Sequence, residues 1–211
     1  MRCGFWAVAA FLAGLAIATH PAAAQAADSE KLAAEHVRPE RAFGSSDAPV
    51  TVIEYFSFGC HHCANFHRTA WPAIRDKYVD TGKVRFVFRE FPLDLPSLAA
   101  AMLTRCVGDE RWYEATDRLF KDQDVWSHSG KPGEALAEVA RTLDMPREQF
   151  DACMLNTVLY QNIRQAVFRA RDELGIASTP TFFVNGEKRS GAVSADDLGA
   201  MIEQALSRAA R

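Results

Sequence analysis

The segment Cys60-His61-His62-Cys63 contains two cysteines separated by two residues. A dense apolar run, Val50 to Phe56, precedes the pair and predicts a buried strand, and apolar residues at helical spacing follow it. A cysteine pair at such a strand-to-helix junction is typical of thiol–disulfide exchange. Unpaired backbone N–H groups and the positive end of the helix dipole stabilise a thiolate there, and the thiolate is the reactive form of cysteine. The alternatives are a structural disulfide or half of a zinc site.

The position of each cysteine on the predicted helix indicates its role. Cys60 lies at the helix start, where its thiol can reach solvent, so we expect it to be the nucleophile. Cys63 lies one turn further and faces the core, so we expect it to be the resolving thiol. An imidazole of His61 or His62 near Cys60 would lower the pKa of the thiol, although one of the two can be only a solvated residue at the helix start. Stabilising the Cys60 thiolate favours the reduced protein, which makes the disulfide oxidising.

The same four side chains suggest a different class of protein, a copper- or zinc-binding module. Cysteine and histidine are suitable ligands for both ions. Four ligands in consecutive positions cannot easily surround one ion tetrahedrally, so we favour the redox interpretation. It requires no metal or organic cofactor beyond the Cys60–Cys63 disulfide.

Hydrophobic periodicity predicts the elements that position this motif. A helix is expected from about Cys60 to Val79, with a kink at Pro72, which cannot donate to the carbonyl of Arg68. A second strand is expected at Lys83–Phe91, so that strand, helix and strand form a βαβ unit. Near the C-terminus, Asn185-Gly186 predicts a hairpin between two short strands.

The stretch from Pro96 to about Gly175 shows no convincing strand pattern. It contains helical patterns instead, which predict helices near 97–107, 109–120, 134–143, 147–155 and 157–174. A loop is expected at 121–133, and residues 28–46 are expected to be a partly extended lead-in. Ser194 caps a last amphipathic helix. The predicted architecture is an α/β sheet domain with an inserted all-helical subdomain. Its expected parts are a targeting segment at 1–24, the two parts of the sheet domain at 25–95 and 176–211, and the helical insertion at 96–175.

The targeting segment has the pattern of a secretory signal peptide. Arg2 supplies the positive start, an apolar run extends from Phe5 to Ile17, and Ala22-Ala23-Ala24 offers a cleavage site. The alternative is a membrane anchor, but the apolar run is too short to span a bilayer comfortably. An alanine-rich signal without organelle features predicts export to a bacterial periplasm.

Export leaves four cysteines in the mature chain, because Cys3 is removed with the signal peptide. An even number of cysteines in an oxidising compartment suggests two disulfides. Cys106 and Cys153 both fall in the predicted helical insertion, and we expect a structural disulfide between two of its helices. The alternatives are two buried free thiols or a regulatory pair near the active site.

The segment from Ile53 to Cys63 resembles the active-site segment of the DsbA family of periplasmic thiol oxidases. The resemblance covers most of the mature chain, including the helical insertion, a Thr-Pro before a strand and the Asn185-Gly186 hairpin. It implies a thioredoxin-like fold, which the order of the predicted elements also indicates. The family often has a proline after the first cysteine, where this chain has His61.

The resemblance implies roles for three further residues. Glu54 matches an acidic residue beneath the resolving cysteine that handles its proton, and the alternative is a carboxylate on a sheet edge paired with Lys83 or Arg89. Pro180 matches a proline whose cis peptide bond abuts the CxxC motif, and Thr179 matches the residue that binds substrate backbone. Without the motif, an ordinary trans proline at the start of a strand would be preferred.

These features together predict a periplasmic dithiol oxidase that donates its disulfide to unfolded or reduced exported proteins. The resemblance implies reoxidation by a quinone-linked membrane oxidase similar to DsbB. The alternative is a reductase or isomerase on the same scaffold, but isomerases of this superfamily typically need an oligomerisation region, and residues 28–46 are short for one. We therefore expect a monomer, and the formal net charge of −3 gives no sign of a nucleic-acid partner.

Overall fold

A computed structural model describes residues 39–211, and the predicted signal peptide lies outside this range. In the described part, a five-stranded sheet has the order β1-β3-β2-β4-β5. Strands β2 and β3 are parallel, and the other neighbours are antiparallel. The strands are β1 (Arg41–Phe43), β2 (Val50–Phe56), β3 (Val84–Glu90), β4 (Thr181–Val184) and β5 (Glu187–Ser190).

Strand β2 lies in the middle of the sheet and is covered on both faces. Val52 and Phe56 belong to the main core, which the helices cover, whereas Ile53 and Tyr55 belong to a smaller core on the opposite face. Side chains alternate between the faces of a strand, so an apolar run without polar alternation is what a doubly covered strand requires. The βαβ unit predicted from the sequence is present, since β2 and β3 are parallel neighbours in the sheet and a helical segment connects them in the chain.

The edge strand β1 was not predicted as a strand. Arg41–Phe43 lies within the expected lead-in and pairs antiparallel with β3. Three residues are too few to show a period, and this strand depends on packing that is distant in sequence. The Phe43 ring lies 5.5 Å from the Trp71 ring and 5.0 Å from the Tyr113 ring, centroid to centroid.

The prediction of one continuous helix from Cys60 to Val79 was wrong. The structure has α1 (His61–Thr69), α2 (Trp71–Ile74) and a π-helical turn (Arg75–Val79). Pro72 lies in the first turn of α2, where its missing N–H matters least, and the break falls at Ala70. Because Pro72 has no N–H, the helical bond to the Arg68 carbonyl is missing, and the interruption falls between that carbonyl and the proline ring.

Helices fill the chain between β3 and β4, as predicted, but two details differ. The expected loop 121–133 contains a short helix, because Trp126 is fully buried and donates to the Leu119 carbonyl at 2.9 Å. The helix expected from Asp109 begins as a 3₁₀ turn (Asp109–Arg111). The block consists of α3 (Leu95–Cys106), α4 (Trp112–Lys121), α5 (Gln123–Ser127), α6 (Pro132–Thr142), α7 (Arg147–Met154) and α8 (Thr157–Leu174).

The C-terminal part follows the predicted order of hairpin and helix. Asn185 and Gly186 have φ values of 45° and 87°, as a tight hairpin turn between β4 and β5 requires. Helix α9 (Ala195–Ala209) follows, and the Ser194 side chain caps it by accepting from the Asp197 N–H at 3.0 Å. No helix within residues 39–211 is both long and apolar enough to cross a membrane.

Candidate active site

The loop between β2 and α1 carries the first cysteine and is held by two of the helices that lie between β3 and β4 in the chain. Gln123 of α5 donates to the Phe58 carbonyl at 2.5 Å, and the Gly59 N–H donates to Ser97 Oγ of α3 at 3.1 Å. A Cβ at Gly59 would lie 2.4 Å from that oxygen, so the approach of α3 requires glycine. These two helices therefore fix the backbone immediately before Cys60.

Cys60 is the N-cap residue of α1 and is partly exposed. Its pKa is lowered to about 5, first by a hydrogen bond with the Cys63 thiol and further by contacts with Thr179 and the backbone N–H groups of Cys63 and His62, while burial opposes the shift. An extended Cys60 (φ −81°, ψ 115°) directs its sulfur to the unpaired N–H groups of the first helical turn. A substantial fraction of this cysteine is therefore thiolate near neutral pH.

Cys63 has the opposite electrostatic environment. It lies one turn into α1 and is fully buried. Its pKa is raised well above the usual range, first by burial and then by the hydrogen bond with Cys60 and the negative charges of Glu54 and Cys60. The two thiols of one CxxC motif therefore differ in both exposure and proton affinity, which suits one for attack from solvent and the other for an internal role.

Glu54 lies in the centre of the sheet and is 2% exposed. Strand β2 has hydrogen-bonded neighbours on both sides, so the alternative of a carboxylate on a sheet edge is wrong. Arg89, one of the two basic residues considered as its partner, donates to the Tyr55 hydroxyl at 2.9 Å and to Glu40 at 2.8 Å. The pKa of Glu54 is raised well above its usual range, first by burial and then by the charge of Cys60.

His61 and His62 are both exposed, and their rings lie 3.9 Å apart, centroid to centroid. The contribution of His62 to the low pKa of Cys60 comes through its backbone N–H. An effect of either imidazole on Cys60 stays a prediction. Within residues 39–211, no group of three or more His, Cys, Asp and Glu side chains is arranged to hold a metal ion.

The Thr179–Pro180 peptide bond is cis, and it lies against the CxxC motif although 119 residues separate Cys60 from Thr179. The Cys60 thiol donates to the Thr179 carbonyl at 3.3 Å. The Thr179 hydroxyl is buried, and the Thr179 side chain is one of the contacts that lower the pKa of Cys60. On the other side of the loop, the Pro180 carbonyl accepts from the Gly191 N–H at 2.8 Å. The structure therefore brings together Cys60, Cys63, Glu54 and this loop.

Cys106 and Cys153 form a disulfide with an S–S distance of 2.04 Å and a Cα–Cα distance of 6.1 Å. The bond joins the last residue of α3 to α7, within the helical block. It lines an open cleft with Arg41, Arg105 and Asp109, which are not part of the CxxC site. The disulfide therefore fastens α3 and α7 to each other.

A buried histidine near Cys63 was not predicted from the sequence. His67 lies one helical turn after Cys63, is 4% exposed, and packs against the Phe120 ring at 4.9 Å between centroids. Its Nε2 lies 3.5 Å from an Asp117 oxygen. Burial nevertheless lowers its pKa to about 4, against the opposing effect of Asp117. Its place on the apolar stripe of the predicted helix was the available signal.

Acid is expected to destabilise the protein through His67. A histidine with a lowered pKa in the folded state takes up its proton more readily when unfolded, so its penalty grows as the pH falls from 6.5 to about 4. The full effect is about 3 kcal/mol. We expect urea unfolding of His67→Gln to lose this part of the acid dependence, with Asp117→Asn as the matched control for the opposing charge. Parallel pH profiles for wild type and His67→Gln would contradict this.

Comparison with known proteins places the chain in a family. The profile of the family described as Thioredoxin matches residues 36–204. The crystal structure of Wolbachia pipientis alpha-DsbA1 superposes with a TM-score of 0.77 at 28% identity, covering 85% of this chain and 97% of that one. This chain therefore belongs to the thioredoxin family, and the thioredoxin-like fold and the resemblance to DsbA proteins are confirmed.

Two proteins of similar sequence have names that refer to disulfide chemistry. A putative protein-disulfide oxidoreductase of Rickettsia felis is 32% identical over 164 residues, which are 77% of this chain and 59% of that protein. A probable disulfide bond formation protein D of Bacillus anthracis is 27% identical over 155 residues, which are 70% of each chain. The chain thus spans about three fifths of the length of the Rickettsia relative.

Proposed function

We propose that this protein is a thiol–disulfide oxidoreductase that works as a dithiol oxidase and donates its Cys60–Cys63 disulfide to reduced exported proteins. The observation that carries the proposal is the opposite shift of the two pKa values, down to about 5 for Cys60 and well upward for Cys63. A stabilised Cys60 thiolate lowers the free energy of the reduced protein, so transfer of the disulfide to a client runs downhill. The names of the Rickettsia and Bacillus relatives support the reaction class.

The exchange takes place in two displacements. A client thiolate attacks Cys60 Sγ of the oxidised protein, which forms a mixed disulfide and releases Cys63 as a thiolate. A second client thiolate then attacks the client sulfur of the mixed disulfide and releases Cys60 as a thiolate. Two client thiols are oxidised to one disulfide, and the two sulfurs of the protein are reduced. Cys60 can leave unprotonated at neutral pH, whereas Cys63, with its raised pKa, needs a proton.

We assign the supply of that proton to Glu54. Its carboxyl is buried, its negative charge raises the pKa of Cys63, and the charge of Cys60 raises the pKa of Glu54 in turn. With its pKa raised, the Glu54 carboxyl holds a proton that it can pass to the departing Cys63 thiolate. The low exposure of both groups leaves water poorly placed for the same transfer.

Glu54→Gln is expected to slow the steps in which Cys63 gains or loses a proton. An amide of the same shape keeps the packing but cannot release a proton, so we expect roughly a tenfold to hundredfold loss, as for other positioned acids and bases. The measurement is the rate at which Cys63 resolves a preformed mixed disulfide at Cys60, across pH. Substitution of the surface carboxylate Glu138 by glutamine provides the control, and equal rates for Glu54→Gln and wild type would exclude the role.

The cis-proline loop is proposed to hold the client backbone. Thr179 and Pro180 lie directly against Cys60, so a client chain that presents its cysteine there must pass over them. Extended backbone can be held by main-chain groups with little side-chain selectivity. The proposal therefore includes clients with different sequences around the reacting cysteine.

Compartment and partners follow from the same reaction. An oxidase is useful only where thiols are not kept reduced, and the signal-peptide pattern of residues 1–24 supports export to the periplasm. Each turnover leaves the protein reduced, so it needs an electron acceptor. We propose a quinone-linked membrane oxidase similar to DsbB for this step, and a monomer as the working form.

The equilibrium of the Cys60–Cys63 pair with glutathione tests the direction of transfer. We expect the protein disulfide to be more oxidising than glutathione disulfide, so that the protein stays mostly reduced at a low ratio of reduced to oxidised glutathione. A less oxidising potential, with rapid reduction of insulin, would instead support the alternative of a reductase or isomerase on the same scaffold.

A further inference from the structure

A groove of about 390 Å³ opens on the protein surface between the β3–α3 segment and one face of α8. Leu93 and Leu95 form its first wall and are 54% and 70% exposed. Val167 and Phe168 contribute to the second wall, and Phe168 is 46% exposed. Several large apolar side chains that face solvent together mark a surface for binding another molecule.

The groove adjoins the loop that carries the nucleophile. Leu95 and Leu98 line it, and Ser97 between them accepts from the Gly59 N–H at 3.1 Å. Gly59 is the residue immediately before Cys60. A chain that lies in the groove therefore comes within a few residues of the reacting sulfur.

Two arginines on the α8 wall give the groove a positive charge. Arg164 and Arg171 both line it, and Arg164 lies over the Tyr160 and Phe168 rings at 5.6 and 5.4 Å from their centroids. Neither arginine forms an ion pair with a carboxylate of residues 39–211, whereas Arg147 of the preceding helix pairs with two. Their guanidinium groups are therefore available to an acidic ligand.

The opposite wall carries one carboxylate, that of Asp94. Asp94 caps α3 by accepting from the Ser97 N–H at 2.8 Å. The unpaired charge that faces the groove is therefore mainly that of the α8 arginines.

The spacing of these groups indicates the shape of the ligand. Arg164 and Arg171 are seven residues apart, or about 10 Å along the helix axis. Alternate side chains of an extended peptide face the same side, so positions i and i+4 lie about 13 Å apart with i+2 between them, which long glutamate and arginine side chains can match to this distance. Phe168 lies between the arginines in sequence, so the wall matches two acidic side chains that flank an apolar one.

We propose that the groove is a subsite for an extended client segment with the pattern acidic–apolar–acidic near its reactive cysteine. This inference rests on the proposed function and deepens it, because it adds selectivity to a site that otherwise holds backbone. Binding in the groove raises the local concentration of the client thiolate at Cys60. In the reaction, two client thiols become a disulfide while the Cys60–Cys63 disulfide is reduced, as in the exchange described above.

The test compares two-cysteine peptides that carry Glu-Ser-Leu-Ser-Glu or Gln-Ser-Leu-Ser-Gln, in which the two outer residues and the leucine face the same side of an extended chain, with three, five or seven residues between this segment and the first cysteine. Their oxidation by the oxidised protein is followed by acid quenching and mass spectrometry at low salt. We expect the acidic peptide of the best spacing to react about fivefold faster than its amide counterpart, the effect of two exposed ion pairs. We expect Arg164→Gln/Arg171→Gln to remove this preference.

Matched variants separate the groove from general charge and hydrophobicity. Arg141→Gln/Arg208→Gln makes the same change in net charge on α6 and α9 and should keep the preference. Leu95→Ser should slow both peptides, whereas Leu155→Ser, at an equally exposed leucine of another surface, should slow neither. All variants should oxidise dithiothreitol at the wild-type rate, because it is too small to reach the groove.

Equal rates for the two peptides, or a preference that survives Arg164→Gln/Arg171→Gln, would overturn the groove proposal while normal dithiothreitol oxidation left the proposed function standing. Failure to oxidise dithiothreitol would count against the proposed function itself. The last part of the experiment measures binding to vesicles that contain phosphatidylglycerol. If they bind wild type but not the arginine variant, and the peptides react equally, the surface meets a membrane and the peptide subsite is excluded.

Discussion

Cys60→Ala is expected to reduce client oxidation to the uncatalysed background, because no other exposed sulfur lies at the N-terminus of α1. Cys63→Ala should differ in kind. It keeps the low-pKa nucleophile, so it should accumulate mixed disulfides that resolve slowly. The measurement is the rate of oxidation of a reduced client, together with mass spectrometry of trapped adducts. Adducts on Cys63 in the Cys60→Ala variant would contradict the assigned roles.

Cys60 also has a pH signature in the stability of the reduced protein. A cysteine with a folded pKa of about 5 stabilises the fold fully above the pKa of the unfolded chain, about 8.5, and this contribution disappears as the pH falls through 5. Because Cys60 is partly exposed, we discount the effect for solvent screening to roughly 1 to 2 kcal/mol. Urea unfolding of reduced wild type and Cys60→Ala should therefore diverge between pH 5 and 8.5.

Ultraviolet titration of the Cys60 thiolate provides an independent check on the same group. The reduced protein should show one thiolate transition near pH 5, and the Cys60→Ala variant should lack it. His61→Ala and His62→Ala, tested separately, would then show whether the exposed imidazoles add to the effect of the backbone N–H groups. A Cys60 transition near the ordinary value for cysteine would remove the physical basis of disulfide donation.

Local patterns in the sequence were sufficient to predict the elements that carry the reacting groups. The apolar run of β2, the CxxC motif and the start of α1 form one continuous segment, and their geometry depends on neighbours within a few residues. The hairpin at Asn185-Gly186 is equally local, because its turn needs positive φ values that these residues adopt easily. The position of Thr179 and Pro180 next to Cys60 was predicted only from the resemblance to a family. Nothing in the local sequence indicates a contact between residues 119 positions apart.

The contacts that complete the site could not be predicted because they join distant parts of the chain. Ser97 of α3 and Gln123 of α5 hold the CxxC loop, and neither belongs to a recognisable motif. Edge strand β1 and helix α5 were missed for the same reason, since each depends on the packing of an aromatic residue, Phe43 or Trp126, against other elements. Periodicity reports which face of an element is apolar, but it does not report what covers that face.

The charge state of buried groups is a second property that the sequence left open. Glu54 and His67 could each have been paired and charged, and only the packing around them shows that burial dominates in both. The edge position considered for Glu54 was wrong because strand order is a property of the whole sheet. The residue types of the site can therefore be predicted from this sequence, whereas the protonation states of the buried groups cannot.

Removal of the second disulfide is expected to cause the largest loss of stability. In the chain-entropy account, a cross-link between residues 47 apart contributes about 4 kcal/mol by restricting the unfolded chain. Cys106→Ala/Cys153→Ala should therefore unfold at a clearly lower urea concentration. Wild type in a reductant strong enough to open this bond should approach the variant.

We expect the loss of stability in this variant to affect the CxxC loop as well. The disulfide fastens the end of α3 to α7, and Ser97 near the start of α3 holds the Gly59 N–H beside Cys60. We expect client oxidation by the variant to fall at temperatures where α3 loosens, and to match wild type at temperatures well below. As the control, the denatured, unreduced chain of residues 25–211 with Cys60→Ala/Cys63→Ala should contain no free thiol. Two free thiols, or unfolding curves that coincide for Cys106→Ala/Cys153→Ala and wild type, would show that the bond does not support the fold.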